Sequence, residues 1–149
     1  MNIKKIVENL IDTFLKAGEL SLSLREQGLT KEIKSDNTPV SNGDIEVNKF
    51  ITKKISEITP DIPIISEESS DNKNNSKLKD FWLVDPIDGT YDYINDLEEF
   101  TINAGLISFF NPAFLRESDS SPAFKKVSTK SSTIFLIFIF FHFTFIDFF

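Results

Sequence analysis

The chain has 149 residues, 40% of them hydrophobic, which is enough for one domain with a sizeable core. Its formal net charge of −7 argues against a nucleic-acid duplex or an anionic membrane surface as the main partner, because both would repel it. There is no cysteine, which excludes disulfides, zinc-thiolate sites and thiol nucleophiles; the single histidine, His142, lies in an unusual tail. Carboxylates, hydroxyls and lysines are the chemistry that remains, and a small anion is still accommodated where bound cations reverse the local sign.

Acidic residues interrupt the opening stretch from Met1 to Glu8, and no continuous apolar segment follows. The expectation is therefore a cytoplasmic protein without a signal peptide. Apolar residues at Ile3, Ile6, Val7, Leu10, Ile11, Phe14, Leu15 and Leu22 predict a helix, with Gly28 as its stop. Lys31 to Asn42 is polar and turn-rich, and Pro39 keeps Thr38 extended. A second helix is expected from about Ser41, where Asp44 three residues on resembles a capping box. Val47, Phe50, Ile51, Ile55 and Ile58 form its apolar face, and Pro60 ends it. Ile62 to Ser66, Phe81 to Asp85 and Phe100 to Ile107 read as strands, the last with Phe100, Ile102, Ala104 and Leu106 on one side. Ser69 to Asp80 reads as a solvated loop. Helices followed by strands suggest an α/β layered fold, two helices packed on a sheet.

The character changes near residue 108. Twelve of the 16 phenylalanines fall in the last 41 residues, and the run from Ile134 to Phe149 fits the period of neither an amphipathic helix nor a half-buried strand. At about 16 residues, broken by His142, Thr144 and Asp147, it falls short of the ~20 that a membrane helix needs. The preferred expectation is that 108–149 is an aberrant tail not native to the fold, produced by a frameshift or by translation past a break; the rival is a C-terminal anchor. Asp119 and Asp147 are given no role.

Three places carry chemistry. In Trp82-Leu83-Val84-Asp85-Pro86-Ile87-Asp88-Gly89-Thr90 a buried strand ends in Asp85, and Pro86 holds that residue extended and forces a turn. Asp88 can then point back to the same place, Gly89 permits close backbone approach, and Thr90 brings a hydroxyl beside free amides. Ile64-Ile65-Ser66-Glu67-Glu68 is a second strand ending in acids, at the end where open α/β sheets place their sites. Thr38 to Asp44 places a third carboxylate at the start of a helix. Hard oxygen ligands without Cys or His point to Mg²⁺, Ca²⁺ or Mn²⁺ rather than zinc. Each feature has a plainer reading, as a turn, a solvated strand end or a helix cap. Their combination is what surface design seldom produces.

These motifs resemble the inositol monophosphatase superfamily, through Glu67-Glu68 after one strand and the Trp82 to Thr90 run after the next. Lys34 to Val40 leading to Asp44, and Glu99 to Asn103, are similar to the 3'(2'),5'-bisphosphate nucleotidase branch. The resemblance covers about residues 1–107, as the N-terminal part of the domain. Two departures stand out: Tyr91-Asp92-Tyr93 replaces a segment that often has a charged residue before Phe, and Gly43 stands where alanine is common.

The resemblance implies an α/β sandwich of the sugar-phosphatase type, truncated here, and a Mg²⁺-dependent phosphomonoesterase. Glu67, Asp85 and the Ile87 carbonyl would hold a first Mg²⁺, with Asp85 and Asp88 contributing to a second. Asp44, Glu67 and Thr90 would be catalytic, Thr90 and Glu67 positioning a water. The Gly89 and Thr90 amides, and Lys34, would bind substrate. The implied substrate is a nucleotide bisphosphate such as adenosine 3',5'-bisphosphate, with activity impaired because the C-terminal half supplies a further metal ligand and much of the pocket. The rival readings are a phosphatase of inositol or other sugar monophosphates, and a non-catalytic, membrane-tethered acidic protein.

Overall fold

The computed structural model describes residues 3–69, 78–97, 99–110, 124–129 and 132–143. The first helix, α1 (Ile3–Glu26), buries Ile6, Leu10, Phe14 and Ala17 at helical spacing, while Ile11 and Leu15 on its flank stay exposed. Gly28, at φ +92, turns the chain out of it, its N–H returning to Arg25 O at 3.1 Å.

The polar stretch that follows is an antiparallel hairpin of β1 (Lys31–Ile33) and β2 (Pro39–Ser41), which periodicity did not predict. Its turn closes through Lys34 N–H to Thr38 O at 2.8 Å, with Asn37 in the left-handed region at φ 67. The second helix, α2 (Asn42–Ile58), has the expected capping box: Ser41 caps it, and Asp44 accepts back from the Ser41 backbone. Thr59 closes the helix, and its hydroxyl accepts from Trp82 Nε1 at 3.0 Å.

Strands β3 (Ile64–Ser66), β4 (Asp80–Asp88) and β5 (Phe100–Phe110) then form, with the short helix α3 (Thr90–Ile94) between the last two. With β6 (Phe124–Thr129) and β7 (Ser132–Phe143) they make one sheet of order β3-β4-β5-β7-β6, in which only β3 and β4 run parallel. Trp82 and Val84 of β4, with Phe100, Ile102, Ala104 and Leu106 of β5, are buried in one core with Ile6, Leu10 and Phe14 of α1 and Val47, Ile51 and Ile55 of α2. Burial of each large apolar side chain there contributes roughly 1.5–3 kcal/mol. Both helices thus cover a single sheet face, as the α/β layered reading requires.

The backbone of 132–143 is a strand laid antiparallel along β5. Its sequence showed no two-residue alternation, but that period marks only strands with one wet face, and a continuous run rich in β-branched and aromatic residues also suits a strand. Asp119, Asp147 and residues 70–77 of the expected loop lie outside the described residues. Among the described residues no helix is long and apolar enough to cross a membrane.

Candidate active site

The parallel pairing of β3 with β4 sets Ser66 against Val84, and the Glu67 N–H donates to Val84 O at 3.0 Å. Glu67 therefore leaves its strand beside Asp85. On the other side of β4, Asp85 faces Asn103 and Asp88 faces Thr101, so three steps along β4 match two along β5. The extra residue makes a β-bulge between Asp85 and Asp88, a stretch in which Pro86 has no N–H to give to the ladder. Because the bulge absorbs one residue, Asp85 and Asp88 meet the same sheet face although they are three apart.

Oδ1 of Asp85 is buried and accepts no hydrogen bond. Burial first, then the charges of Glu67 and Asp88 and a hydrogen-bonding contact with Glu67, push the Asp85 carboxyl up to about 7. A buried carboxylate oxygen without a donor, among acids and with no nitrogen or sulfur ligand, has the donor chemistry of a hard divalent cation. Among the described residues, however, no three acidic or histidine side chains form a ready-made ion cage. Carboxylates repel, and each here has a different neighbour: Asp88 Oδ2 accepts from Asn103 Nδ2 at 3.1 Å, and Glu67 Oε1 lies 3.6 Å from Lys34 Nζ. The expected convergence of Glu67, Asp85 and Asp88 is thus present as proximity to Asp85 rather than as a closed ligand set.

Asp44 is fully buried and serves two elements. Its Oδ2 accepts from the Ser41 N–H at 2.8 Å and the Ser41 hydroxyl at 2.6 Å, while Oδ1 accepts from Thr90 Oγ1 at 2.9 Å. Asp44 therefore caps α2 and reaches Thr90 with the same carboxylate. Thr90 Oγ1 also lies 3.0 Å from the Ile87 carbonyl, so Ile87 O, Thr90 and Asp44 form one polar cluster. Gly89, at φ +98, starts α3, and a Cβ there would come within 3.1 Å of Glu99 O.

Lys34, expected at the substrate, donates to Glu68 Oε1 at 2.7 Å. Of the acidic pair, Glu68 is the buried member with 5% of its side chain exposed, against 48% for Glu67. The sequence reading placed only Glu67 of this pair at the site, whereas the structure turns Glu68 inward onto Lys34.

Gly43 and Tyr93 depend on each other. A Cβ on Gly43 would sit 2.4 Å from Tyr93 Oη and 2.6 Å from its ring, so the tyrosine occupies the space an alanine would need. Tyr93 Oη donates to Ser21 O at 2.7 Å, and burial, reinforced by the Asp44 charge, holds the phenol well above its ordinary pKa and keeps it a neutral donor. Arg25 stacks over the Tyr93 and Phe100 rings at 5.8 and 5.7 Å and donates to Leu97 O at 3.1 Å, clamping the turn after α3 to α1. A cleft of about 570 Å³ lies elsewhere, between α2 and the 60–64 segment, and none of the acidic residues above lines it.

A model of the inositol monophosphatase family matches residues 2–113. The chain belongs to that family. It is 33% identical over 109 residues to the 3'(2'),5'-bisphosphate nucleotidase CysQ of Aggregatibacter actinomycetemcomitans, a match covering 72% of this chain and 40% of that protein. The fold superposes on the Thermotoga maritima IMPase with TM-score 0.61 at 26% identity, over 70% of this chain and 40% of that one. A 2'AMP-bound SaIMPase-II gives TM-score 0.54 at 26% identity, over 69% of this chain and 36% of that one. The chain thus spans about two fifths of the length of these relatives.

The residues that sequence reasoning missed as neighbours of the site are Asn103, Glu68, Tyr93 and Arg25. Alternation along β5 put Asn103 on the face opposite Phe100 and Ile102, but only the β4–β5 register brings it to Asp85.

Proposed function

We propose that residues 1–107 form the cation- and phosphate-handling part of a Mg²⁺-dependent phosphomonoesterase. Its substrate would be adenosine 3',5'-bisphosphate or a related nucleotide, which loses its 3'-phosphate. The observation that carries this reading is the buried, donorless Oδ1 of Asp85 beside Glu67 and Asp88. Glu67, Asp85 and the Ile87 carbonyl would hold one Mg²⁺, with Asp85 and Asp88 sharing in a second. Bound there, Mg²⁺ would neutralise phosphate charge and ease deprotonation of the attacking water.

The chain's own residues supply the rest. Thr90 donates its single hydroxyl proton toward Asp44, which leaves its oxygen free to accept a hydrogen bond from the water. Glu67 would take a proton from the water as its oxygen attacks phosphorus; the bond to the 3'-oxygen breaks, and that oxygen takes up the proton by way of solvent, giving the 5'-monophosphate and inorganic phosphate. The Gly89 and Thr90 amides would bind phosphate oxygens by direct hydrogen bonds, since α3, at five residues, is too short for its dipole to add much. Lys34 would reach the substrate only by leaving Glu68.

The nucleotide reading is supported by the nucleotidase relative and by the 2'AMP held by SaIMPase-II, itself a nucleotide phosphomonoester. Turnover would be impaired, because the matched segment corresponds to only 40% of that nucleotidase. On the same reading residues 108–149 are not native to the fold; the family match stops at residue 113, and sequencing the coding DNA beyond codon 108 tests this, an intact frame shared with related loci counting against it. The functional test is phosphate release from adenosine 3',5'-bisphosphate and inositol 1-phosphate in parallel, with Mg²⁺ and with chelator, alongside Mn²⁺ binding. Slow nucleotide hydrolysis that chelator abolishes, with Mn²⁺ bound, is the expected result. Turnover at an ordinary ~1–10³ s⁻¹ would contradict the impairment, preference for the inositol ester would favour the sugar-phosphatase rival, and no Mn²⁺ binding would refute the site.

A further inference from the structure

Asn103 stands directly opposite Asp85 across the β4–β5 ladder, so the two side chains project from the same sheet face. Its Nδ2 donates to Asp88 Oδ2 at 3.1 Å and to Thr101 Oγ1 at 3.1 Å. A carboxylate only accepts, so the nitrogen must be the amide atom turned to Asp88, and both of its hydrogens are used. The amide plane is fixed by these two bonds. Its other end, Oδ1, is left buried with no donor, and so is Oδ1 of Asp85 on the facing residue.

Two donorless, buried oxygens on laterally paired residues are not what packing alone selects, because an apolar residue at 103 would fill a strand position without stranding an acceptor. We propose that Asn103 is a positioning residue of the cation site, aiming Asp88 through Nδ2 and presenting Oδ1 as a further, uncharged oxygen beside Asp85. This rests on the cation site proposed above. An amide suits the place chemically: it adds a hard oxygen without adding a fourth negative charge to Glu67, Asp85 and Asp88, and it donates to the one carboxylate that has to be held.

The test uses the full chain and Mn²⁺, with free ion followed by electron paramagnetic resonance, so that binding is read without turnover. Asn103→Leu and Asn103→Thr are compared with the wild type, and Asp85→Asn serves as the control for the site itself. Thr is favoured in strands and keeps the variant foldable; Trp82 emission and the metal-free melting temperature report the fold in every case. The expected result is a 10- to 100-fold loss of Mn²⁺ affinity in both variants, with the metal-free melting temperature unchanged or raised. Wild-type Mn²⁺ affinity in either folded variant overturns the role of Asn103 alone. A wild type that binds no Mn²⁺, or an Asp85→Asn variant that binds it undiminished, overturns the cation site and this inference with it. If both Asn103 variants lose the fold, the residue is structural and the proposal is wrong.

Discussion

Gly43→Ala is the substitution whose consequence the structure specifies most closely. Gly43 lies in the first turn of α2, where alanine would ordinarily stabilise a helix by up to about 1 kcal/mol. Here the added Cβ meets Tyr93 Oη at 2.4 Å, Cε1 at 2.6 Å and Cζ at 2.8 Å, all closer than a real Cβ contact. The ring cannot simply swing away, because Oη is tied to Ser21 O and the ring is packed edge-on against Phe100 at 5.0 Å. Overpacking of this kind costs about 1–3 kcal/mol, so the net loss should be about 1–2 kcal/mol. Separation of α2 from α3 would also stretch the 2.9 Å bond between Asp44 and Thr90. Tyr93→Phe alone should cost about 0.5–1.5 kcal/mol for its hydrogen bond, but it frees the ring to shift. The double variant should then be less destabilised than the sum of the singles, by about 1 kcal/mol. Urea unfolding followed by Trp82 emission measures all four proteins, since this is the only tryptophan and it is fully buried. A neutral or stabilising Gly43→Ala, or strict additivity in the cycle, would refute the idea that Tyr93 claims the space an alanine at 43 would need.

The remaining expectations concern charge. Without divalent cation, the Asp85 carboxyl is raised from 3.8 to about 7, so its contribution to stability is present below about pH 4 and is lost as pH rises through 7. Melting curves of wild type and Asp85→Asn in chelator should therefore diverge across that window, the wild type falling relative to the variant, and millimolar Mg²⁺ should reduce the divergence; parallel pH profiles would contradict the shift. Lys34→Met leaves the buried Glu68 carboxylate without its 2.7 Å partner and should cost about 1–3 kcal/mol. Adding Glu68→Gln should recover at least half of that in thermal melts, and no recovery would mean that Lys34 matters for another reason. Asp44→Ala removes the acceptor of the Ser41 N–H, the Ser41 hydroxyl and the Thr90 hydroxyl, and should lower stability by about 2–3 kcal/mol in urea titration. Ser41→Ala, which loses only the cap, should cost about 1 kcal/mol; equal losses would show that the Thr90 bond adds nothing.

Local signals made much of the frame legible. Helical spacing located α1 and α2, the Ser41–Asp44 pair marked the start of α2, and alternation in β5 named Phe100, Ile102, Ala104 and Leu106, the hydrophobic side chains that the described part of that strand buries. The β1–β2 hairpin was missed because strands of three residues, one of them wholly exposed, carry no period; pairing and the Lys34–Thr38 turn hold them instead. The strand within the tail was not legible for a related reason. Alternation diagnoses a strand by its difference between faces, so the unbroken Ile and Phe of 134–143 gave no signal even though the backbone there pairs with β5 along its length.

The candidate site divides along the same line. Asp85, Asp88 and Glu67 could be named because each ends an apolar run, and a strand end is a local property. What each acid touches is not local. Whether Glu67 or Glu68 turns inward depends on Lys34 arriving from the hairpin, more than thirty residues earlier in the chain. Whether Asp88 shares a face with Asp85 depends on the bulge between them, whereas Asn103 stands across from Asp85 because the β4–β5 register runs unbroken from Asp80 to Asp85. A regular ladder would put residues two apart on one face and turn Asp88 to the other. Proline therefore does more here than extend the residue before it. It lies in the bulge that shifts the register after Asp85, and that shift brings Asp88 to the side of the sheet already shared by Asp85 and Asn103.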